Sequence, residues 1–148
     1  MKHLPLIAFL ALALACLPVL PAQAQQDRTA EATDVDLEKA KAAADRWLAL
    51  VDADEFGASW DAGGEEMHKG VTREDWTRLL RDVRQQIGAL QSRMFDKSGP
   101  VRDPEGAPPG LYAIVLYKSV FQKAAMSEEL VLIMEPDGQL RVVGYWLR

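Results

Sequence analysis

The chain has 148 residues, a formal net charge of −5 and no stripe of basic residues. This composition argues against nucleic acid as a partner and against electrostatic docking on an anionic membrane. Its length outside a short leader is that of one compact domain.

The first 24 residues have the pattern of a secretory signal peptide. A short basic start, Met1–His3, precedes an apolar run over residues 4–20, and Ala22-Gln23-Ala24 offers small residues where signal peptidase requires them. We expect cleavage before Gln25 and, in a Gram-negative source, release into the periplasm. The single cysteine, Cys16, leaves with the leader, so the mature chain has no thiol for catalysis, metal binding or a disulfide.

Two other interpretations of the leader fit its residues less well. A membrane anchor would need a longer apolar span than this one, which Pro18 and Pro21 interrupt. Lipidation of Cys16 would need a small residue where Leu14 stands. Contact with a membrane is therefore expected only if Cys16 is lipidated.

The mature chain is predicted to begin with a disordered tether and then two amphipathic helices. Residues 25–33 are polar and form the tether, and residues 34–148 form one domain. Apolar residues at gaps of three and four give the first helix one buried face: Leu37, Ala40, Ala44, Trp47 and Val51. Thr33 with Asp36, or Asp34 alone, is expected to cap its start.

The second long helix is predicted between Thr72 and Gly88. Thr72 and Asp75 form a capping-box-like pair, and Gly88 suits a left-handed C-terminal cap. Its apolar stripe consists of Trp76, Leu79, Leu80, Val83 and Ile87. Short helical turns around Phe56–Trp60 and Glu65–Lys69 are expected between the two long helices.

After Gly88 the hydrophobic period changes to two, which predicts strands. They are expected over residues 89–97, 111–121, 130–135 and 140–147, with a proline- and glycine-rich loop over 98–109 and a tight turn at Pro136-Asp137-Gly138. Helices that precede consecutive strands indicate an α+β domain: N-terminal helices packed on a curved antiparallel sheet of about four strands.

The long strand is apolar on both of its faces. Leu111, Ala113, Val115 and Tyr117 alternate with Tyr112, Ile114, Leu116 and Val120. A solvated face would carry polar residues instead. Either the sheet curls enough to be covered twice, or its second face meets another chain, which predicts a homodimer through the sheet.

Catalytic motifs are weak in this chain. Glu65-x-x-His68 is half of a di-iron motif that needs the pattern twice, so we assign no metal, and no cofactor. Ser59, Asp61 and His68 supply the residue types of a hydrolase triad, but they lie in one short segment without a nucleophile elbow. We therefore assign no catalytic residue.

Four residues are candidates for a ligand site or a structural ion pair: Arg84, Arg93, Tyr117 and Glu129. The two arginines and Glu129 belong to elements that should be largely buried, and buried charges need partners, so an Arg–Glu ion pair is expected. A clamp on a ligand carboxylate is the alternative. The tryptophans are expected in the core: Trp47, Trp60, Trp76 and Trp146. The hydroxyl of Tyr112, Tyr117 or Tyr145 could donate to a ligand.

The order of several short segments resembles the secreted bacterial family catalogued as domain of unknown function 4019. The segments are Trp47-Leu48-x-Leu50-Val51-Asp52, Ser59-Trp60, Val71-Thr72 with Trp76, Arg84 with Gly88, Ser92-Arg93, Pro109-Gly110-Leu111-Tyr112, Glu129, Asp137-Gly138 and Arg141-Val142-x-Gly144-Tyr145. The resemblance spans about Ala43 to Arg148, with departures at Asp54, Gln86 and Leu140. It implies an exported α+β domain of the cystatin-like or nuclear-transport-factor-like type, and it implies no activity.

These observations predict a periplasmic, non-catalytic binding domain. Its partner would be a small amphipathic molecule or a periplasmic protein. One alternative is an enzyme like the ketosteroid isomerases, with a carboxylate and a tyrosine in an apolar pocket. Candidates for that carboxylate or base are Asp52, Asp54, Asp61, His68 and Glu129. A further alternative is a structural module for dimerisation or assembly.

The leader predicts the mature N-terminus. Protein purified from its native host should have the mass of Gln25–Arg148, because Ala24 ends the signal peptide. Intact-mass spectrometry with N-terminal peptide mapping measures this directly. A chain that still begins at Met1, or one that begins at a lipid-modified Cys16, would contradict the prediction.

Overall fold

The computed structural model describes residues 35–148, which form four helices followed by four strands. The helices are α1 (Leu37–Asp52), α2 (Phe56–Asp61), α3 (Glu65–Gly70) and α4 (Arg73–Ile87). The strands are β1 (Leu90–Arg102), β2 (Leu111–Phe121), β3 (Ala125–Met134) and β4 (Leu140–Leu147). The α+β class is therefore confirmed. None of the helices in this part of the chain is long and apolar enough to cross a membrane. The predicted leader and tether lie outside the described residues.

The strands form one open antiparallel meander in the order β1-β2-β3-β4. Each strand pairs with the next one along the chain, as short connections favour. β1 and β4 are the edge strands. Register shifts occur twice along the β1–β2 pair and once along the β3–β4 pair, and such irregularities increase the local twist of a sheet.

Two strands are longer than predicted. β1 continues through the segment predicted as a loop, where Pro100 pairs with Ala113 and Arg102 with Leu111. Proline is tolerated there because β1 is an edge strand, where a missing N–H donor need not interrupt the ladder. β3 begins at Ala125 and not at Leu130, and its polar first half is paired with the end of β2.

The helix ends follow local capping chemistry. α1 is capped by Asp36 itself, whose carboxylate accepts from the N–H groups of Glu38 and Lys39. The other predicted capping residues, Thr33 and Asp34, lie outside the described residues. α4 is capped as predicted, because the Thr72 hydroxyl accepts from the N–H of Asp75 at 3.1 Å. Gly88 ends this helix with φ = 81°.

The core lies between the helices and one face of the sheet, which we call the inner face. Trp47 and Trp76 are both buried, with ring centroids 6.0 Å apart, and Trp47 meets Tyr145 edge-on at 5.3 Å. Ala113, Val115, Leu130 and Leu132 from the sheet are fully buried against them. The tryptophans of α1 and α4 thus fill the space under the helices, as their apolar stripes predict.

Candidate functional site

A buried ionic network lies at one end of the inner face and joins all four strands to the helices. We call it the Glu128 network, and its members are Asp52, Arg84, Arg93, Ser119, Glu128 and Tyr145. At its centre Glu128 is completely buried. Period-two alternation places Glu128 on the same face of β3 as Leu130 and Leu132, which are the core residues that follow it.

Glu128 is held by donors from three strands. Arg93 on β1 donates from Nε to Oε1 at 2.7 Å and from Nη2 to Oε2 at 3.2 Å. The Tyr145 hydroxyl on β4 donates to Oε2 at 2.6 Å, and the Ser119 hydroxyl on β2 donates to Oε1. A buried carboxylate needs this degree of pairing, because an uncompensated charge in the interior is strongly destabilising.

The network continues to the end of α1 through Asp52. Arg93 also donates to Asp52, with Nη2 lying 3.1 Å from Oδ1. Arg84 on α4 donates to the same Oδ1 atom at 2.7 Å, and its guanidinium lies 5.0 Å from the centre of the Phe121 ring. Arg84, Arg93 and Asp52 have 11%, 14% and 24% of their side-chain surface exposed. Arg93 is thus shared between Asp52 and Glu128, Arg84 pairs with Asp52, and the network ties both long helices to the sheet.

The predicted Arg–Glu ion pair uses a different glutamate. Glu129 points to the opposite face of β3, where it pairs with Arg148 at 3.0 Å. Tyr117 lies beside the network but donates to Asp45 at 2.6 Å. Arg84 and Arg93 are therefore brought together, and the Arg93 guanidinium lies 6.0 Å from the centre of the Tyr117 ring, whereas Glu129 lies on the other face. Glu128 could have been found from the alternation of β3, but it lies in the polar segment that sequence reasoning left out of the strand.

Tyrosine ionisation is disfavoured throughout this region. Burial, and then the charge and hydrogen bond of Glu128, raise the pKa of Tyr145 well above its ordinary value of 10.0. Burial, and then Asp45, raise the pKa of Tyr117 in the same way. Burial, and then the charges of Glu66 and Asp103, raise the pKa of Tyr112. All three phenols therefore remain protonated at neutral pH.

The residues that could resemble a hydrolase triad do not converge. The buried Ser59 hydroxyl donates to the carbonyl of Phe56 and accepts from Trp76 Nε1. Asp61 receives two hydrogen bonds from Arg73. His68 donates from Nε2 to the carbonyl of Trp60 at 2.8 Å and stacks on its ring. Each side chain has a local structural partner. Within residues 35–148, no group of three or more His, Cys, Asp or Glu side chains is placed to hold a metal ion.

The second candidate site is the opposite face of the sheet, which we call the outer face. It is lined by apolar side chains from all four strands: Met94, Val101, Tyr112, Ile114, Leu116, Val120, Val131, Ile133, Val143 and Trp146. The long helices pack on the inner face, and within residues 35–148 the β1–β2 loop and Glu66 of α3 lie against part of the outer face. The Tyr112 hydroxyl donates to the carbonyl of Pro108 in that loop at 2.8 Å. The prediction of an apolar second face is thus confirmed, and one end of it is covered within the chain.

An apolar groove of about 280 Å³ lies beside this loop. Its walls are Val101, Tyr112, Ile114, Val131 and Trp146, together with the loop prolines, and Glu66 is at its rim. Trp146 was expected in the core, and that expectation is wrong, because 45% of its surface is exposed. Its indole lies on Gly144, where a Cβ atom would collide with the ring. Trp146 therefore lies over the backbone of β4 with much of its surface open to solvent.

Comparisons with known proteins identify the family to which the chain belongs. The chain belongs to the family described as Protein of unknown function (DUF4019), whose model matches residues 43–145. No curated protein matches the chain. One solved structure, of a protein from Catenulispora acidiphila, is similar with a TM-score of 0.49 and 17% identity, covering 85% of this chain and 94% of that one. The family resemblance is confirmed, and the cystatin-like or nuclear-transport-factor-like type is not.

The burial of Glu128 predicts a large difference between two neighbouring substitutions. Glu128→Gln should lower the free energy of unfolding by about 3 kcal/mol, because it leaves Arg93 with a buried neutral partner. The matched control Glu129→Gln should cost less than about 1 kcal/mol, because its partner Arg148 is 64% exposed. Urea denaturation of both variants measures the difference. Equal losses would contradict the account of the network.

The tyrosine environments predict a pH dependence. Because the folded-state pKa values exceed those of the unfolded chain, the folded state binds more protons above about pH 10, and stability falls as the pH rises from there. Below about pH 10 this contribution is fully present. Absorbance titration of tyrosinate should give higher midpoints for all three phenols in the folded protein than in denaturant. A phenol that ionises at its denatured-state midpoint while the fold is intact would contradict this.

Proposed function

We propose that this protein is an exported, non-catalytic binding domain and that the outer face of its sheet is the surface that binds another protein. The observation that carries the proposal is that apolar side chains from all four strands line this face, among a few charged ones such as Lys118 and Glu129, although the long helices pack on the other side. Sheets with one solvated face normally carry polar residues there. Contiguous exposed apolar patches on soluble domains mark interaction sites.

The extent of exposure supports a binding role. Met94, Val120 and Trp146 are 64%, 42% and 45% exposed, and tryptophan is among the residue types that contribute most to interfaces. Their apolar surface remains in contact with water unless a partner covers it, at a cost of about 25 cal/mol for each Å². This cost is a driving force for association.

The shape of the surface favours a protein over a small molecule. The groove of about 280 Å³ lies at the low end of the range for small-ligand sites, and such sites are usually more enclosed. Met94 and Val120 lie at the far end of the sheet, where they line a wide, shallow depression. A small amphipathic molecule in the groove would leave these two side chains exposed, whereas a protein surface can cover both ends.

The hydrogen bonds that occupy the buried carboxylate of Glu128 support a non-catalytic role. An enzyme like the ketosteroid isomerases needs a carboxylate and a tyrosine that face a substrate pocket. Glu128 and Tyr145 are in contact, but Arg93 and Ser119 take up the remaining acceptor positions of the carboxylate. Both groups are used in holding the sheet to the helices. Export is supported by the leader pattern of residues 1–24.

Site-specific photo-cross-linking in the native host tests this function. A benzophenone amino acid placed at Val120 should give one discrete adduct, because Val120 lies within the proposed interface. The matched control is Leu79, a large apolar side chain on α4 that is 53% exposed. Mass spectrometry of the cross-linked peptides should identify one partner protein, attached at Val120 and not at Leu79.

Three results would overturn the proposal. Position 120 could yield no adduct, it could yield an adduct with the mass of a small molecule only, or Leu79 could yield the same partner. A small-molecule adduct would indicate a ligand-binding domain. Val120 and Leu79 are both exposed apolar side chains. A difference in their cross-linking therefore shows that the partner binds the outer face, and it does not arise from hydrophobicity alone.

A further inference from the structure

The two ends of the outer face differ in charge and in shape. The end beside the β1–β2 loop holds the apolar groove, with Glu66 at its rim and with Asp103 and Glu105 in the adjacent loop. The opposite end carries Lys118 and Arg148 around the exposed side chains of Met94 and Val120. One end is therefore a concave apolar site with an acidic rim. The other end is a shallow depression with exposed apolar side chains and a basic rim.

These two ends are equally distant from the centre of the sheet. Along β2, Leu116 lies four residues from Tyr112 in the groove and four residues from Val120. On β3, the residue paired with Leu116 is Glu129, which lies four residues from Ala125 and four from Ile133. A twofold axis that lies parallel to the sheet, runs across the strands and passes above Leu116 would therefore place the groove of one copy over the Met94 and Val120 end of another.

We propose that the protein bound by the outer face is a second copy of this chain, joined face to face about a twofold axis near Leu116. This inference rests on the proposed function and names its partner. In the dimer, Met94 and Val120 of the partner subunit fill the groove beside Tyr112, and the acidic rim of one copy meets the basic rim of the other. Such an interface is isologous, so each complementary contact is made twice.

The rim charges already have partners within the chain, but these pairs are weak. Lys118 lies 3.5 Å from Asp96, with 62% and 36% of the two side chains exposed. Glu66 pairs with Lys69, and both are on the surface. Exposed pairs of this kind contribute little to stability. The rim charges therefore remain available to orient a second copy, since electrostatic complementarity acts mainly on specificity and association rate.

The area of the face fits a moderately stable dimer. Strands about 4.8 Å apart and about 3.3 Å per residue give four strands of about nine residues a projected area of roughly 570 Å². The accessible surface of projecting side chains exceeds this projection, and a standard interface buries about 800 Å² on each partner. The face is therefore large enough for a dimer, whose strength then depends on how well the two surfaces fit.

Sedimentation velocity on the mature chain over a series of concentrations tests the dimer, with charge reversals to test its orientation. Lys118→Glu and Glu66→Lys should each weaken self-association by about tenfold or more, because both rims then repel their counterparts. An equimolar mixture of the two variants should associate as tightly as the wild-type chain. In the mixed dimer, the glutamate introduced at position 118 faces the lysine introduced at position 66, and the unchanged Lys118 and Glu66 face each other, so both contacts join opposite charges. Leu79→Glu is the matched control and should leave the dimer intact.

Any result that differs from these expectations overturns the inference. A wild-type chain that stays monomeric at high concentration shows that the partner is not a second copy. If Val120 nevertheless cross-links to one other protein in cells, the proposed function stands and this inference alone fails. If the mixture of variants does not regain wild-type association, the two copies are joined in a different orientation. If Leu79→Glu disrupts the dimer, the interface is formed by the helices and not by the outer face. Circular dichroism of each variant verifies that it is folded, and Val120→Glu provides a second, independent substitution within the interface.

Discussion

The buried charge of Glu128 is the constraint on which the rest of this structure depends. A carboxylate with no exposed surface is tolerated only where donors satisfy it, and here they come from β1, β2 and β4. Arg93 also forms an ion pair with Asp52 on α1, and Asp52 in turn pairs with Arg84 on α4. One buried charge thereby fixes the relative positions of both long helices and the whole sheet.

The two faces of the sheet have different roles: the inner face stabilises the fold, and the outer face is the proposed binding surface. The inner face is committed to stability, because its aromatic rings and its ionic network have their partners within the chain. Within residues 35–148, Met94, Val120 and Trp146 on the outer face stay 64%, 42% and 45% exposed. A sheet that is held rigidly from one side presents its other side in a fixed shape, which lowers the entropic cost of forming an interface there.

Most of the fold could be predicted from periodicity and capping residues, whereas the network could not. The stripe from Trp76 to Ile87 and the cap at Thr72 gave α4 almost to the residue, because local interactions determine them. Residues 98–102 and 125–129 were missed as strands because Pro100 and Glu128 are unusual in strands, and pairing with β2 overrides that local preference. The pairing of Arg93 with Glu128, 35 residues apart, depends on strand register, which one sequence does not determine. Alternation places Glu128 on the inner face only once β3 is known to begin at Ala125.

The claim that the outer face is covered only by association is tested most directly by the solvent exposure of individual methyl groups. A soluble paramagnetic agent broadens the NMR signals of methyl groups in proportion to their exposure, and the measurement can be repeated at low and high protein concentration. We predict that Val120 and Ile114 are broadened in dilute protein and protected in concentrated protein, while Leu130, which is fully buried on the inner face, is protected in both. Outer-face methyl groups that stay equally exposed at every concentration would contradict the account.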